Sequence, residues 1–401
     1  MKDLEKKSRA YALKNALAHE GRASQGPVIS SLFNDGLKKS EVGKYAKKIS
    51  GVIAEVNELS IEEQKKEFDS LKKIVSERDV REGLPELPGA KKGKVVMRIS
   101  PSPSGALHVG HALTASLSYL FVKEYGGKFY VRIEDTNPEN IYKPAYKLIE
   151  KDSDWLFEGK AKMVIQSERM ELYYKYAEKL IKKKSAYVCC CTGDEFRKFS
   201  EEKKDCGCRK NSVEENLKDW EKMLGGEFEA GECVLRFKSS MQDKNPAMRD
   251  FPLARINEAK HALQGKKYRV WPLMNLAVAV DDIEMKMTHI IRAKEHRDNA
   301  KRQEMIYKVL GKKYPWTGFL GRIHFKDMEL SASKITQGVK DKKYSGWSDP
   351  KLPTLQALKK KGYKPEAFWK FAERIGLNEN DKIMDKKEFF LLLDGFNNKK
   401  I

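Results

Sequence analysis

The chain has 401 residues, of which 40% are hydrophobic and 34% are charged, enough apolar material for two or three domains and too much for a disordered protein. No run approaches the roughly 18 apolar residues of a membrane span, and the charged N-terminus is unlike a signal peptide, so we expect a cytoplasmic protein without membrane contact. Lys and Arg total 79 against 58 Asp and Glu, a formal net charge of +21. This excess fits a polyanionic partner such as nucleic acid, and it fits a solvated lysine-rich surface equally well.

The N-terminal part of the chain is predicted to be helical. Apolar residues recur at helical spacing in 11–18 and again in 42–56. The segment 81–93 then contains two prolines and three glycines, which do not permit a continuing helix. We therefore predict a helical extension and a linker that together end near residue 92.

From Lys94 the pattern changes to alternating strands and helices. The spacing predicts a strand at 95–99, a helix at about 107–124 and a second strand at 128–134. This order is typical of a β-α-β unit with two parallel strands.

The second half of the chain is predicted to resume this α/β pattern after a less regular insertion at about 187–268. We predict a strand at 288–292, a helix at 296–310 and a further strand at 321–325. The remaining segment, 349–401, reads as helical and basic.

Three predicted strands end in charged residues: Arg98, Glu134 and Arg292. In an open α/β sheet, ligands bind beyond the carboxyl ends of the strands. The two guanidinium groups could bind carboxylates and Glu134 could accept from an ammonium group, which suits an amino acid with two carboxylates. An internal ion pair would account for the same residues, and the spacing leaves both interpretations open.

The turn after the first predicted strand reads Arg98-Ile-Ser-Pro-Ser-Pro-Ser-Gly-Ala-Leu-His-Val-Gly-His111 and leads into a helix. It is neither a G-x-G-x-x-G dinucleotide fingerprint nor a P-loop. His108 and His111 lie near the helix start and can donate to phosphate oxygens there, while Pro103 shapes the turn and Gly110 leaves room for a flat ring. The alternative is that both histidines only cap the helix.

A second polar loop, Met328-Glu-Leu-Ser-Ala-Ser-Lys334, is a weaker signal. Its Ser331, Ser333 and Lys334 could close over a triphosphate and stabilise the charge of departing pyrophosphate. Such loops are usually only solvated.

All six cysteines lie in the insertion. Cys189, Cys191, Cys206 and Cys208 form two C-x-C pairs that could hold a structural Zn²⁺ ion. Reduced thiols packed as small apolar groups are the alternative. Cys190 and Cys233 are left over, and we expect no disulfide in a cytoplasmic protein.

Together these stretches resemble the glutamyl-tRNA synthetases of the archaeal and eukaryotic type, a branch of the class I aminoacyl-tRNA synthetases. Further stretches that carry the resemblance are 125–138, 268–272, 280–282, 289–296 and 346–355. The resemblance implies an α/β fold with a Rossmann-like parallel sheet in two halves, an inserted acceptor-stem domain, an N-terminal helical extension and a C-terminal helical stem-contact region. The implied boundaries are 1–92, 93–188, 189–268, 269–335 and 336–401.

The same resemblance implies that ATP and L-glutamate, with Mg²⁺ on the phosphates, form glutamyl-adenylate, and that the glutamyl group passes to the 3′ end of tRNA. Catalysis would fall to His108, His111 and Lys334. The expected ATP-binding residues are Pro103, His108, Gly110, His111, Ser331, Ser333 and Lys334. The expected glutamate-binding residues are Arg98, Ser100, Ser102, Glu134, Met274 and Arg292, with Arg292 on the side-chain carboxylate. The expected contacts to the tRNA acceptor region are Arg249, Asp250 and Arg255.

The chain departs from the pattern of that family at three places. Met274 stands where the family usually has a substrate-touching Tyr, and Ala332 stands where a second lysine is expected. The chain also stops at Ile401, where the family continues into β-barrels that read the anticodon. The chain would then be a fragment, work without the barrels, or use a separate anticodon-binding polypeptide. We expect it to be a monomer.

Two other functions remain open at this point. One is a barrel-less paralogue that places glutamate on a modified tRNA base; the N-terminal extension and the helical region from Trp347 onward argue against it. The other is a catalytically inactive tRNA-binding or regulatory protein, suggested by Met274 and Ala332. The presence of the strand-end residues and of both histidines argues against that reading.

Overall fold

The computed structural model describes residues 3–75 and 83–398, and these fall into two compact units that are divided between residues 81 and 82. The first unit consists of four α-helices: α1 (Leu4–Ala18), α2 (Gln25–Asn34), α3 (Val42–Glu58) and α4 (Ile61–Leu71). Helix α3 buries Ile49, Val52, Ile53 and Val56, whose spacing of three to four residues places them on one face. Both helices predicted in this region are therefore confirmed.

The predicted linker begins with residues 81 and 82, which lie outside the described ranges; its described part, 83–93, contains no helix or strand. The helices and strands of the second unit follow in chain order. They are β1 (Val95–Ile99), α5 (Val109–Tyr125), β2 (Gly127–Ile133), α6 (Ala145–Leu156), β3 (Ala161–Ile165), α7 (Met170–Lys182), β4 (Ala186–Cys189), α8 (Gly193–Glu201), α9 (Val213–Gly225), β5 (Val234–Phe237), β6 (Pro252–Ile256), β7 (Val270–Pro272), α10 (Met274–Glu284), β8 (His289–Ala293), α11 (Arg297–Val309), β9 (Trp316–Leu320), β10 (Ile323–Phe325), α12 (Ala332–Lys340), α13 (Leu355–Lys360), α14 (Pro365–Ile375), β11 (Lys382–Met384) and α15 (Lys386–Asn398).

The central strands of the second unit are parallel. Strands β1, β2 and β3 form one sheet and β8 and β9 form another. Thr288 joins them, because its N–H donates to the Val96 carbonyl at 3.0 Å and its hydroxyl accepts from the Val96 N–H at 2.8 Å. The strand order is thus 3-2-1-8-9, and the chain reverses direction of winding between β1 and β8, the place where α/β sheets bind ligands. The predicted α/β class with a parallel sheet is confirmed.

Burial on both faces explains why the central strands are so apolar. Val95 and Met97 of β1 and Phe129 and Val131 of β2 are buried, as expected for parallel strands covered by helices. Helix α5 packs on this sheet and is buried around most of its circumference. The turn that precedes α5 is therefore attached to a well-packed core.

The insertion is more ordered than its sequence suggests. Strands β4, β5, β6 and β7 form an antiparallel sheet. Its core includes Trp220 and Trp271 and continues into α7, α10 and α11 of the flanking region, where Val280 and Ile306 belong to the same hydrophobic cluster. The predicted boundaries within the second unit stay predictions.

The strand predicted at 321–325 is confirmed, because Ile323–Phe325 form β10, which pairs in parallel with β11 rather than with the central sheet. The neighbour of β8 in the central sheet is β9, a strand that was not predicted. The segment 349–401, which was predicted to be helical, also contains β11. This strand was not predicted because three residues are too few to show an alternating pattern.

None of the described helices is both long enough and apolar enough to cross a membrane.

Candidate active site

The two polar motifs that lie more than 200 residues apart in sequence face one cleft of about 800 Å³, which we call the main cleft. Its walls come from the N-terminus of α5, the end of β8, strand β10 and the loop before α12. The residues that matter here are His108, Gly110, His111, Ala293, Glu295, His296, Arg322, Glu329 and Ser331. The fold therefore brings the His-x-Gly-His turn and the Ser331 loop together, as the sequence predicted.

Both histidines of the turn cap helix α5. The ring Nδ1 of His108 accepts from the Gly110 N–H at 3.1 Å, and the Nδ1 of His111 accepts from the His108 N–H at 3.4 Å. A ring nitrogen that accepts carries no proton, so in each neutral ring the proton is assigned to Nε2. The capping interpretation is therefore correct for the Nδ1 atom of each ring. The Nε2–H group of each ring can still donate to a ligand.

Desolvation favours the uncharged form of both rings. Burial, followed by the proximity of His111, holds the pKa of His108 well below its usual range. Desolvation by the walls of the cleft lowers the pKa of His111 to about 4, although the residue still reaches solvent. The rings, whose centroids are 3.9 Å apart, are therefore paired N–H donors at the positive end of a helix, a suitable environment for phosphate oxygens.

A distant carboxylate fixes the turn. Asp152 of α6 accepts from the Leu107 N–H at 2.9 Å and from the Gln356 side chain at 2.8 Å. Burial raises the pKa of Asp152 to about 7. Sequence reasoning missed both Asp152 and Gln356, because neither belongs to a local motif.

Close packing also explains one glycine of the turn. A Cβ atom on Gly105 would lie 2.2 Å from Cη2 of Trp347, so no larger residue fits there. Pro103 is buried beside it, and its carbonyl accepts from the Tyr142 N–H at 2.8 Å. The Pro-Ser-Gly sequence thus shapes the turn, and the stretch that begins at Trp347 supports it from behind.

The Ser331 loop is more open. The Ser331 hydroxyl accepts from the Lys334 N–H at 3.5 Å and caps α12, and it lies 2.9 Å from the Ser333 hydroxyl. The Lys334 ammonium forms an ion pair with Glu329 at 3.1 Å and its side chain is 73% exposed. Ser102, Ser331 and Ser333 share the wall of a second cleft of about 700 Å³.

The strand-end residues divide into two groups, and the first group is an internal ionic network. Arg98 donates to both carboxylate oxygens of Asp282, at 3.0 and 2.9 Å. The fully buried Arg132 donates to Asp282 at 2.6 Å and to Glu134 and the Ser100 hydroxyl, both at 3.2 Å. Burial alone would raise the pKa of Asp282, but the charges of Arg98 and Arg132 outweigh it and hold that pKa at about 2. The ion-pair interpretation is thus observed for Arg98 and Glu134, with Arg132 and Asp282 as partners that sequence reasoning did not single out.

Arg292 forms the second group by itself. It is 8% exposed, and among the described residues no carboxylate forms an ion pair with it. Its Nη1 donates to the Gln303 side chain at 2.9 Å, and its buried Nε has no partner within the described residues. Burial, reinforced by the charge of Arg98, lowers its pKa from the usual value. An arginine remains charged in a protein, so this site contains a cation without a direct ion-pair partner in the part of the chain that the structure describes.

Met274 begins α10 and is 41% exposed. The next residue, Asn275, accepts from the Gln303 side chain at 3.4 Å. Met274 therefore lies next to the residue that is linked to Arg292 by hydrogen bonds through Gln303. Its own side chain reaches solvent.

The three residues predicted to meet the tRNA acceptor end differ in accessibility. Arg249 is buried and donates to the carbonyls of Asp243 at 2.9 Å and Ser200 at 2.7 Å. Asp250 is buried and accepts from Tyr187 at 2.8 Å and Arg209 at 2.6 Å. Only Arg255, with 42% of its side chain exposed, presents its guanidinium at the surface.

The four predicted zinc ligands cluster. The sulfur atoms of Cys189, Cys191, Cys206 and Cys208 all lie within 4.8 Å of one another. The Cys189 and Cys206 sulfurs are 4.0 Å apart and those of Cys191 and Cys208 are 3.8 Å apart. Tetrahedral Zn–S bonds of about 2.3 Å require S···S distances of about 3.8 Å, so the arrangement fits a Cys₄ metal site.

The expectation that the chain contains no disulfide was wrong, because Cys190 and Cys233 are bonded in the structure. Strand register explains the pairing. Cys189 of β4 lies opposite Val234 of β5 in an antiparallel pair, so the next residue along β4 meets the residue before Val234. Alternation also turns Cys190 away from the four-sulfur cluster.

Comparison with known proteins agrees with this geometry. Residues 94–397 match the family model of the catalytic domain of class I tRNA synthetases for glutamate and glutamine. The chain is 42% identical over 393 residues to the glutamate–tRNA ligase of Pyrococcus furiosus, covering 94% of this chain and 68% of the relative. It is 42% identical over 402 residues to the glutamate–tRNA ligase of Methanobrevibacter smithii, covering 99% of this chain and 71% of the relative.

A solved structure supports the fold. The glutamate–tRNA ligase of Elizabethkingia meningosepticum, in complex with its amino acid, superposes with a TM-score of 0.51 at 23% identity, over 75% of this chain and 68% of that chain. At this identity the likeness concerns the fold alone. The matched catalytic domain, the archaeal relatives and the two motifs on one cleft agree. The chain therefore belongs to the glutamate and glutamine family of class I tRNA synthetases.

Proposed function

We propose that the chain is a glutamate–tRNA ligase, which activates L-glutamate with ATP and transfers the glutamyl group to the 3′ end of tRNA. The buried guanidinium of Arg292 carries this proposal, because no carboxylate of the described residues forms an ion pair with it and it lies at the end of β8. A side-chain carboxylate of glutamate supplies the missing anion. A glutamine amide does not, and a buried charge facing a neutral group is costly.

ATP would bind in the main cleft, with Mg²⁺ on its phosphates. The Nε2–H groups of His108 and His111 would donate to phosphate oxygens, and the N-terminus of α5 would add its positive partial charge. Ser331 and Ser333 would bind from the facing loop, and Lys334 would leave Glu329 to stabilise the departing pyrophosphate. The glutamate α-carboxylate would then attack the α-phosphorus, and the P–O bond to pyrophosphate would break.

The rest of the amino acid would lie toward β1 and β2. Glu134 and the hydroxyls of Ser100 and Ser102 would surround the ammonium group. The guanidinium fork of Arg98 is already occupied by Asp282, so we propose that Arg98 contributes positive potential at the substrate carboxylates. Met274 would border this pocket at its solvent side.

For the tRNA, the net charge of +21 supports a general attraction to the phosphate backbone. Arg255 is our candidate for a direct contact at the acceptor end, since the side chains of Arg249 and Asp250 form hydrogen bonds within the protein. Those two residues would instead shape the surface on which the acceptor end lies.

We also propose that the four-cysteine cluster holds a structural Zn²⁺ ion, on the grounds of its S···S distances. Elemental analysis of the purified chain should find about one zinc per molecule. Cys206→Ser should abolish this zinc, whereas Cys233→Ser should retain it because Cys233 lies outside the cluster. Equal zinc content in the two variants would refute the assignment.

The decisive experiment is the glutamylation of total tRNA by the purified chain with ATP, Mg²⁺ and labelled glutamate, run beside labelled glutamine. Alkali-labile label from glutamate alone, released by ribonuclease A as glutamyl-adenosine, is the expected result. Label that stays on an internal nucleoside would favour the paralogue that modifies a tRNA base. No label from either amino acid would favour an inactive tRNA-binding protein.

Three expectations remain predictions: a monomer, a cytoplasmic location and a separate anticodon-binding polypeptide. Light scattering on the purified chain tests the first. The glutamylation assay, repeated with candidate polypeptides, tests the third.

A further inference from the structure

Gln303 is a buried polar residue with no role assigned so far. It lies in the middle of α11 and is completely buried. Its side-chain oxygen accepts from Arg292 Nη1 at 2.9 Å. A second donor, the Tyr314 hydroxyl, lies 3.5 Å from the same oxygen.

The contacts determine which way the amide points. Arginine can only donate, so the amide oxygen must face Arg292. The amide nitrogen then faces the Asn275 oxygen at 3.4 Å. Gln303 is thus held at both ends, between the strand that carries Arg292 and the helix that begins at Met274.

The neutrality of this amide has a chemical consequence. Glutamate has the same shape as glutamine, but a carboxylate at this position would form a buried ion pair with Arg292. Arg98 and Arg132 in the same unit have such partners in Asp282. Because the Gln303 amide is neutral, it fixes the orientation of Arg292 and leaves the charge of the guanidinium unpaired.

We propose that Gln303 is a positioning residue that sets amino-acid specificity: it orients the Arg292 guanidinium and, by remaining uncharged, reserves that charge for the side-chain carboxylate of the substrate. This inference rests on the proposed glutamate activity. It assigns the choice between glutamate and glutamine to a pair of residues, the arginine and the neutral amide behind it.

The test compares Gln303→Glu and Gln303→Met with the unmodified chain in steady-state tRNA glutamylation. Gln303→Glu should raise the KM for glutamate at least 100-fold and leave the KM for ATP within twofold, because the new carboxylate occupies Arg292. The preference for glutamate over glutamine should fall by a similar factor. Gln303→Met, which removes the holder without adding charge, should raise the KM for glutamate about 10-fold and keep the preference.

Gln25→Glu is a matched control, since Gln25 is exposed at the start of α2, and it should leave all constants unchanged. A wild-type KM for glutamate in Gln303→Glu would overturn the inference, as would equal losses for ATP and glutamate in both variants, which indicate a folding effect. If Gln303→Glu does not fold, an unchanged KM for glutamate in Gln303→Met overturns the inference by itself. If the unmodified chain does not use glutamate, the proposed function fails and this inference fails with it, an outcome distinct from the others.

Discussion

Arg98 and Arg292 end two neighbouring strands and are both buried, yet their surroundings are opposite. Arg98 donates twice to Asp282, whereas Arg292 has only a neutral amide as a partner among the described residues. Since neither guanidinium can lose its proton, the two arginines differ in where their anion comes from. The fold supplies the anion for Arg98, and in our proposal the substrate supplies it for Arg292.

Asp152 shows why this difference depends on the chemistry of arginine. It too is a buried ionisable group without an ion-pair partner among the described residues, and burial raises its pKa to about 7. A carboxyl group can take up a proton and remain comfortably buried. Arginine cannot become neutral by losing its proton, so an unpaired buried arginine indicates a binding site more strongly than an unpaired buried acid does.

The largest effect is expected from removing the internal anion of the paired group. Asp282→Asn leaves Arg98 and Arg132 without their shared charge, and it should lower the free energy of unfolding by about 3–5 kcal/mol. Urea denaturation measures this loss. Asp194→Asn, at a side chain that is 90% exposed, should change the same quantity by about 0.5 kcal/mol or less; similar losses in both variants would contradict the comparison.

Arg292→Gln should do the reverse, with a large cost to catalysis and little to stability. We expect kcat/KM for glutamate to fall about 100- to 1000-fold, or about 3–4 kcal/mol, with the KM for ATP nearly unchanged. The unfolding free energy should stay constant or rise, because a buried unpaired cation is removed. Unchanged glutamate kinetics would show that the ligand finds its counter-charge elsewhere.

Asp152→Asn tests the group that can neutralise itself. The pKa of this carboxyl is about 7 in the folded state and near 4 in the unfolded state. Folding therefore takes up a proton between about pH 4 and pH 7, and the free energy of unfolding of the wild-type chain decreases as the pH rises through this range. Relative to Asp152→Asn, the wild-type chain should lose about 2 kcal/mol of unfolding free energy between pH 5.5 and 7.5. Unfolding curves at several pH values measure this, and a difference that is flat or increases with pH would disprove it.

The smallest effect is expected at the exposed arginine. Arg255→Gln should raise the KM for tRNA two- to fivefold, about 1 kcal/mol or less, and should reduce the salt dependence of that KM by about one phosphate contact. Its KM values for ATP and glutamate should match those of the unmodified chain. An unaltered salt slope would exclude a direct phosphate contact by this residue.

Local patterns in the sequence predicted much of this molecule. The α5 turn with His108 and His111, the loop with Ser331 and the two C-x-C pairs are each contained in a few consecutive residues, and all were recognised. Hydrophobic periodicity also predicted the β1-α5-β2 unit. Such features depend only on neighbouring residues, so one sequence suffices to find them.

The features that were missed depend on partners far away along the chain. Arg98 and Arg292 look alike in sequence, and the distinction between them comes from Asp282, which is 184 positions from Arg98, and from Gln303. Strand β10 was predicted, but its partner β11, whose residues lie 59 positions later, was not. The Cys190–Cys233 bond likewise follows from the register of β4 and β5, which no spacing rule reveals.

The hydrophobic cluster that joins the inserted sheet to α7, α10 and α11 has a practical consequence for anyone who wishes to exchange acceptor-binding modules between synthetases. Excising residues 189–268 would divide this cluster, separating Trp220 from members such as Val280 and Ile306, so the fragment and the remainder would each lose part of a shared core. A viable chimera must carry the three helices along with the sheet. Because α10 bears Asp282 and α11 bears Gln303, that transplant would also import the donor's version of the proposed amino-acid pocket.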